Sequence, residues 1–85
     1  DLTQEELHGI SFLVRRVAGA VVDATAADGF NVLQNNGRCA GQVVPHVHFH
    51  VIPRHDEDDF TFGWRQLSYE EGELEKLTES IRENL

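Results

Sequence analysis

One cysteine, Cys39, stands among the 85 residues, so no disulfide can close within the chain. That excludes the small secreted class stapled by disulfides and points to a reducing, cytoplasmic setting. No apolar run approaches the roughly 18 residues that a membrane-crossing helix needs. The first residues, DLTQEELHG, are acidic and polar, which is not the pattern of a signal peptide. Positive charge is scarce as well. Seven Lys and Arg against fifteen Asp and Glu give a formal charge of −8 and a sequence pI near 4.9. A surface of that sign repels phosphate backbones, so general nucleic-acid binding is not expected. One local site can still override the field and hold a small phosphate ligand. Repeats, low-complexity tracts and linkers are absent, and 40% hydrophobic with 26% charged residues fits a globular chain. The length allows one domain at most, and a domain this short buries little apolar surface without a metal, a staple or a partner.

The pattern along the chain predicts helix, strand, strand, helix. Thr3 with Glu6 reads as a capping box, and Leu7, Ile10, Val14, Val17 and Val21 follow at steps of three and four. A helix is expected over about 4–27, closed by Asp28-Gly29 with Gly29 in the left-handed conformation. FNVLQN predicts a strand over about 30–35, and NGRCAG a loop. QVVPHVHFHVIP predicts a second strand over about 42–53. An acidic loop at 54–59 follows, then Phe60, Phe62 and Trp64 at two-residue spacing as a short extended piece. Ser68 with Glu71 reads as a second capping box, opening a helix over about 69–84 through Leu74, Leu77 and Ile81. Two strands alone are marginal, so something else is expected to complete the sheet.

The chemistry concentrates on the second strand. His46, His48 and His50 alternate with Val47, Phe49 and Val51, so a regular strand presents the three imidazoles on one face and buries the other. Two readings follow. In the first, neighbouring histidines, about 6.6 Å apart at Cα, share a zinc ion, with a third ligand from His8, His55 or an acid. All three cannot converge, because the outer pair is about 13 Å apart and Zn–N bonds are about 2.0–2.1 Å. In the second, His48 is a nucleophile toward phosphorus while its neighbours orient it and contact the substrate. Imidazole suits that work because its unperturbed pKa, about 6.5, leaves much of it unprotonated at neutral pH.

HVHFHVI, with Gly41-Gln42 and Pro45 before it and Ile52-Pro53-Arg54 after it, resembles the signature of the histidine triad (HIT) proteins. Leu33-Gln34-Asn35-Asn36-Gly37 is similar to the strand and loop that precede the motif there. The Leu2-Thr3-x-x-Glu6 start resembles the opening of the family's central helix. The string VPHVHFHVIPR is especially similar to bacterial and archaeal HIT hydrolases, and the last triad position is His, not the Gln of the uridylyltransferase branch.

The resemblance implies an α+β, HIT-like fold: an antiparallel sheet with a long central helix and a C-terminal helix. It implies that residues 1–85 are a partial domain, without the N-terminal strands and short helix that shape the nucleoside pocket. It further implies hydrolysis or transfer at the α-phosphate of a nucleoside phosphoramidate or dinucleoside polyphosphate, through a covalent nucleotidyl-histidine. His48 would attack, His50 would contact phosphate oxygens, and His46 would belong to the network fixing the His48 tautomer. Asn35 and Gln42 match substrate-contacting positions, and backbone amides of Gly41–Val43 would add donors. Val43 stands where several family members carry Ser or Thr. No tightly bound metal is implied, only Mg²⁺ travelling with the substrate, and a homodimer is the expected assembly. The alternatives are the zinc module and a nucleotide-binding protein without catalysis.

Other features read as ordinary surface. Cys39 has no activating neighbour, and His8 and His55 are expected to be solvated, as is the acidic run Asp56–Asp59. Of Arg15, Arg16 and Arg38, only Arg38 lies in a loop near the motif.

Overall fold

The computed structural model describes residues 2–59 and 66–85. Its elements are helix α1 (Gln4–Thr25), strand β1 (Gly29–Leu33), a short 3-10 turn (Arg38–Ala40), strand β2 (His50–Arg54) and helix α2 (Glu73–Glu83). The expected extended piece at Phe60, Phe62 and Trp64 lies outside the described residues.

Helix α1 starts at the expected capping box. Thr3 Oγ1 accepts from the Glu6 N–H at 3.1 Å, and the Glu6 carboxylate accepts from the Thr3 N–H at 3.2 Å. Bonding with Thr3, through its side chain first and its backbone second, holds the Glu6 carboxyl below its ordinary pKa. The half-buried side of the helix runs through Ile10, Val14, Val21 and Val22 around Ala18, the one fully buried residue among those described. Leu7 and Val17, expected on that stripe, are exposed. The helix also ends earlier than expected. Ala26, not Gly29, takes the left-handed conformation (φ 53°), and the Ala27 N–H closes the end on Val22 O at 3.2 Å. The chain must reverse there so that the Asp28 N–H can reach Arg54 O at 2.9 Å, which leaves Gly29 to begin β1.

The two strands pair antiparallel, from Gly29 opposite Arg54 to Leu33 opposite His50. Opposed residues share a face. Phe30, Val32, Val51 and Pro53 are therefore on one side, and Asn31, Leu33, His50, Ile52 and Arg54 on the other. Helix α1 packs mainly against β2.

Strand β2 is much shorter than the expected 42–53. A strand persists only where a neighbour takes its backbone groups, and β1 ends at Leu33, the partner of His50. Upstream of His50 the backbone bends at residues 44–46, and the His46 N–H folds back onto Val44 O at 2.8 Å.

Helix α2 starts at Glu73 rather than 69, and the Ser68–Glu71 box does not form. Gly72, at φ +82°, is the N-cap, and the Glu70 N–H donates to the Glu73 carboxylate. Among the described residues α2 packs against no other element. The layers are consequently open. The radius of gyration is 17.2 Å, against about 12 Å for a compact chain of this length. The accessible surface is 7782 Å², against about 5,100 Å² for a compact monomer of this mass.

Candidate active site

Two anchors hold the triad segment. At its far end, the Arg54 guanidinium grips Asp58 with two bonds, Nε to Oδ2 at 2.8 Å and Nη2 to Oδ1 at 2.7 Å. Its Nη1 donates to Asn31 Oδ1 at 2.7 Å, which ties β2 to β1 through side chains. The Asp58 carboxylate holds the Arg54 pKa above its ordinary value. Asp58 also accepts from the His55 N–H at 3.1 Å, and Asp28 accepts from the Asp56 N–H at 2.8 Å. The acidic run expected to be solvated is thus partly structural. His55 is not idle either: its Nε2 lies 3.1 Å from Thr25 O, meeting an unsatisfied carbonyl at the end of α1.

The second anchor is the loop between β1 and the triad. Gln42 Oε1 accepts from the Gly37 N–H at 2.8 Å, cinching the loop around the 3-10 turn. Gln34 and Asn36 pair their amides reciprocally at 2.9 and 2.8 Å. Gly41 sits at φ +94°, and a Cβ built on it would meet Asn35 Nδ2 at 3.3 Å. Glycine is required there twice over, by the backbone and by the approach of Asn35.

Asn35, Gly41 and Gln42 are thereby gathered in one loop. The expected amide donors are a different matter. The Gly41 N–H is bonded to Arg38 O at 3.0 Å and the Gln42 N–H to Gly37 O at 3.2 Å, so neither is offered to a ligand. Val43 is 88% exposed.

The three histidines are not a uniform row. His50 opens β2 and is exposed, His48 is half-buried, and His46 lies in the bend. The rings of His48 and His50 meet edge to face, centroids 4.9 Å apart and planes at 76°. His48 Nδ1 lies 2.7 Å from the His46 carbonyl oxygen. A carbonyl can only accept, so Nδ1 carries a proton, and in the neutral ring Nε2 is the nitrogen with the lone pair. His46, Gln42, Val47 and Phe49 line a cleft of about 640 Å³ against Leu2, Glu6 and Leu7 of the α1 start. A second hollow of about 370 Å³ is lined by Arg38, Gly41, Gln42, Val43 and Pro45. Among the described residues, no three of His, Cys, Asp and Glu come together as a metal site, and no helix is long and apolar enough to cross a membrane.

A helix laid on an antiparallel pair, with alternating histidines leading into the second strand, defines a triad-type α+β protein. Comparison with known proteins gives the family: the HIT domain matches residues 1–57, and this chain belongs to the HIT family. It is 51% identical over 59 residues to an adenosine 5'-monophosphoramidase of Candida albicans, covering 68% of this chain and 39% of that protein. It is 39% identical to the adenosine 5'-monophosphoramidase of Schizosaccharomyces pombe, over 95% of this chain and 59% of the relative. A crystal structure of SMU.412c from Streptococcus mutans superposes with a TM-score of 0.87 at 34% identity, covering 98% of this chain and 53% of that one. The chain thus spans about half the length of these relatives.

Proposed function

We propose that this chain carries the chemical half of a nucleotide hydrolase or nucleotidyl transferase acting at an α-phosphate, with an adenosine phosphoramidate as the first substrate to test. The observation that carries the reading is the 2.7 Å bond between His48 Nδ1 and the His46 carbonyl. It leaves Nε2 as the nucleophilic nitrogen. In the first step Nε2 attacks phosphorus, the P–N bond to the amine breaks, and the amine leaves with a proton drawn from solvent, which the water of the second step gives back. Water then attacks phosphorus and breaks the P–Nε2 bond, which releases the nucleotide and restores the imidazole. The ring is cationic while phosphorus is attached, so the Nδ1–H bond to a carbonyl dipole strengthens as the adduct forms. That is stabilisation realised mainly on the reaction path. His50, edge-on to His48, is the proposed contact to phosphate oxygens. Asn35 and Gln42 Nε2 are the proposed donors along the loop, and the His46 ring bounds the cleft.

Both phosphoramidase relatives support this substrate class. Dinucleoside polyphosphates belong to the same proposal, with Mg²⁺ arriving on the substrate and no metal held by the chain. Self-association into a homodimer in a cytoplasmic setting completes it. A zinc module has less support, because no three-ligand group lies among the described residues.

The test is single-turnover trapping with an adenosine phosphoramidate, read by mass spectrometry. One adenylyl group is expected on His48. His48→Ala should abolish the adduct and lower turnover by at least ~10⁴-fold while nucleotide binding persists. An adduct at another residue, or undiminished turnover in His48→Ala, would overturn the assignment.

A further inference from the structure

Arg38 stands beside the site with no task in the chemistry of the triad. From Gly29 to Pro53 the sequence holds no Asp, Glu, Lys or Arg besides it, so no carboxylate accompanies it along the strands and loop. Among the described residues Arg38 makes no ion pair and no side-chain hydrogen bond. Arg54, by contrast, is held by Asp58 and Asn31. In a chain of formal charge −8, an arginine without a carboxylate partner is open to an anion from outside.

The backbone that carries Arg38 is fixed. The Ala40 N–H bonds Gly37 O at 3.1 Å and the Gly41 N–H bonds Arg38 O at 3.0 Å, while Gln42 Oε1 takes the Gly37 N–H. Arg38 is the charged member of the lining of the 370 Å³ hollow. Gln42 and Pro45 line both that hollow and the larger cleft with His46, so the two spaces adjoin at the triad segment. The Val43 side chain brings no donor, and the Gly41 and Gln42 amides are committed within the turn. Side-chain recognition in the hollow therefore falls to the Arg38 guanidinium and Gln42 Nε2. A nucleoside carries no charge beyond its α-phosphate, so a guanidinium in this second space has nothing to pair with there. What remains of the substrate is the group that departs.

We infer that the hollow receives the leaving group, and that Arg38 selects leaving groups bearing an anion, either a carboxylate or a further phosphate. The inference rests on the proposed α-phosphate chemistry and names its substrate class. A planar guanidinium meets either anion through two parallel bonds. When an amine leaves, the P–N bond breaks and nitrogen takes a proton from solvent. Its carboxylate keeps one charge throughout, so Arg38 contributes to binding. When a phosphate leaves, the P–O bond breaks and the oxygen departs with the electron pair. Charge then grows beside Arg38 on the reaction path, so kcat gains as well.

Steady-state kinetics on the full chain test this with three substrates: the adenosine phosphoramidates of β-alanine and of β-alaninamide, and diadenosine triphosphate. The first two differ by one negative charge on the leaving group. Arg38→Gln should lower the acid-to-amide ratio of kcat/KM about fivefold, the upper range for an exposed pair. Arg38→Lys should retain part of that ratio, keeping the charge without the fork. Rising salt should erode the ratio in the parent and not in Arg38→Gln. The ratio of diadenosine triphosphate to the amide reads the phosphate source in the same way. A fall in one ratio alone supports the subsite and identifies its anion, and a fall in both supports the shared chemistry. Unmoved ratios, including an equal loss on all three substrates, would overturn the subsite alone if the adenylyl group still forms on His48. A parent chain that forms no such adduct would overturn the underlying reading and the subsite with it.

Discussion

Replacing Gly41 with alanine separates the loop's mechanical role from its chemical one. At φ +94° and ψ 9°, an L-residue pays about 1–2 kcal/mol for the left-handed conformation. Stiffening of the unfolded chain returns about 0.4–1 kcal/mol. The net backbone cost is about 1 kcal/mol, a fall in Tm of roughly 4–8 °C. The new methyl also meets Asn35 Nδ2 at 3.3 Å, so Asn35 must yield by a few tenths of an ångström. A displacement of about 1 Å in a positioned group can cost about 10²-fold, so about tenfold in kcat/KM is expected here. Gly72→Ala is the comparison, because Gly72 sits at φ +82° with nothing within 4 Å of a built Cβ. It should carry the backbone cost without the catalytic one. The decisive assay is a double-mutant cycle with Asn35→Ala. If Gly41→Ala acts by displacing Asn35, the double variant turns over no more slowly than Asn35→Ala alone. Additive losses, or a Gly41→Ala variant with unchanged kcat/KM, would refute the reasoning.

Thr3→Ala should cost about 1 kcal/mol at neutral pH by removing the N-cap of α1, measured by urea unfolding. Because the folded Glu6 carboxyl lies below its ordinary value, its contribution is present above about pH 4.3 and is lost as pH falls through the folded pKa. The variant should therefore lose less stability between pH 5 and 3 than the parent, and an identical acid slope in the two would contradict the Thr3 attribution. Ala26→Gly relieves a left-handed alanine at φ 53° and should raise stability by up to ~1 kcal/mol, seen as a higher Tm. A lower Tm would mean that the Ala26 methyl is needed at the helix end.

Local signals were the legible ones. The Thr3–Glu6 box lies three residues apart and needs no knowledge of the rest of the chain, so it marks the start of α1 correctly. The end of α1 is set by a distant group, the Arg54 carbonyl that receives the Asp28 N–H, and periodicity cannot see it. Ser68 and Glu71 have the right spacing, but the conformation of Gly72 fixes where α2 begins. Asp58 reads as part of a solvated acidic run, and its pairing with Arg54 four residues before it, like the reach of Arg54 to Asn31 through the strand register, emerges only in the structure. His55 became a partner of the α1 carbonyl end only because the two strands return the chain to that point.

The triad shows most clearly how sequence and structure divide the information. Residue types at 46, 48 and 50 mark the chemistry, and a regular strand would place all three imidazoles on one face. In a paired strand, however, backbone carbonyls are committed to a neighbour. Here the ladder stops at His50, where β1 ends at Leu33, and among the described residues the bend at 44–46 leaves the His46 carbonyl outside that ladder. That oxygen accepts a hydrogen bond from the His48 Nδ1–H, which in the neutral ring leaves Nε2 with the lone pair. The carbonyl has two lone pairs, so a strand partner laid along residues 44–48 would share this oxygen with His48, and the tautomer holds as long as the Nδ1–H bond is kept.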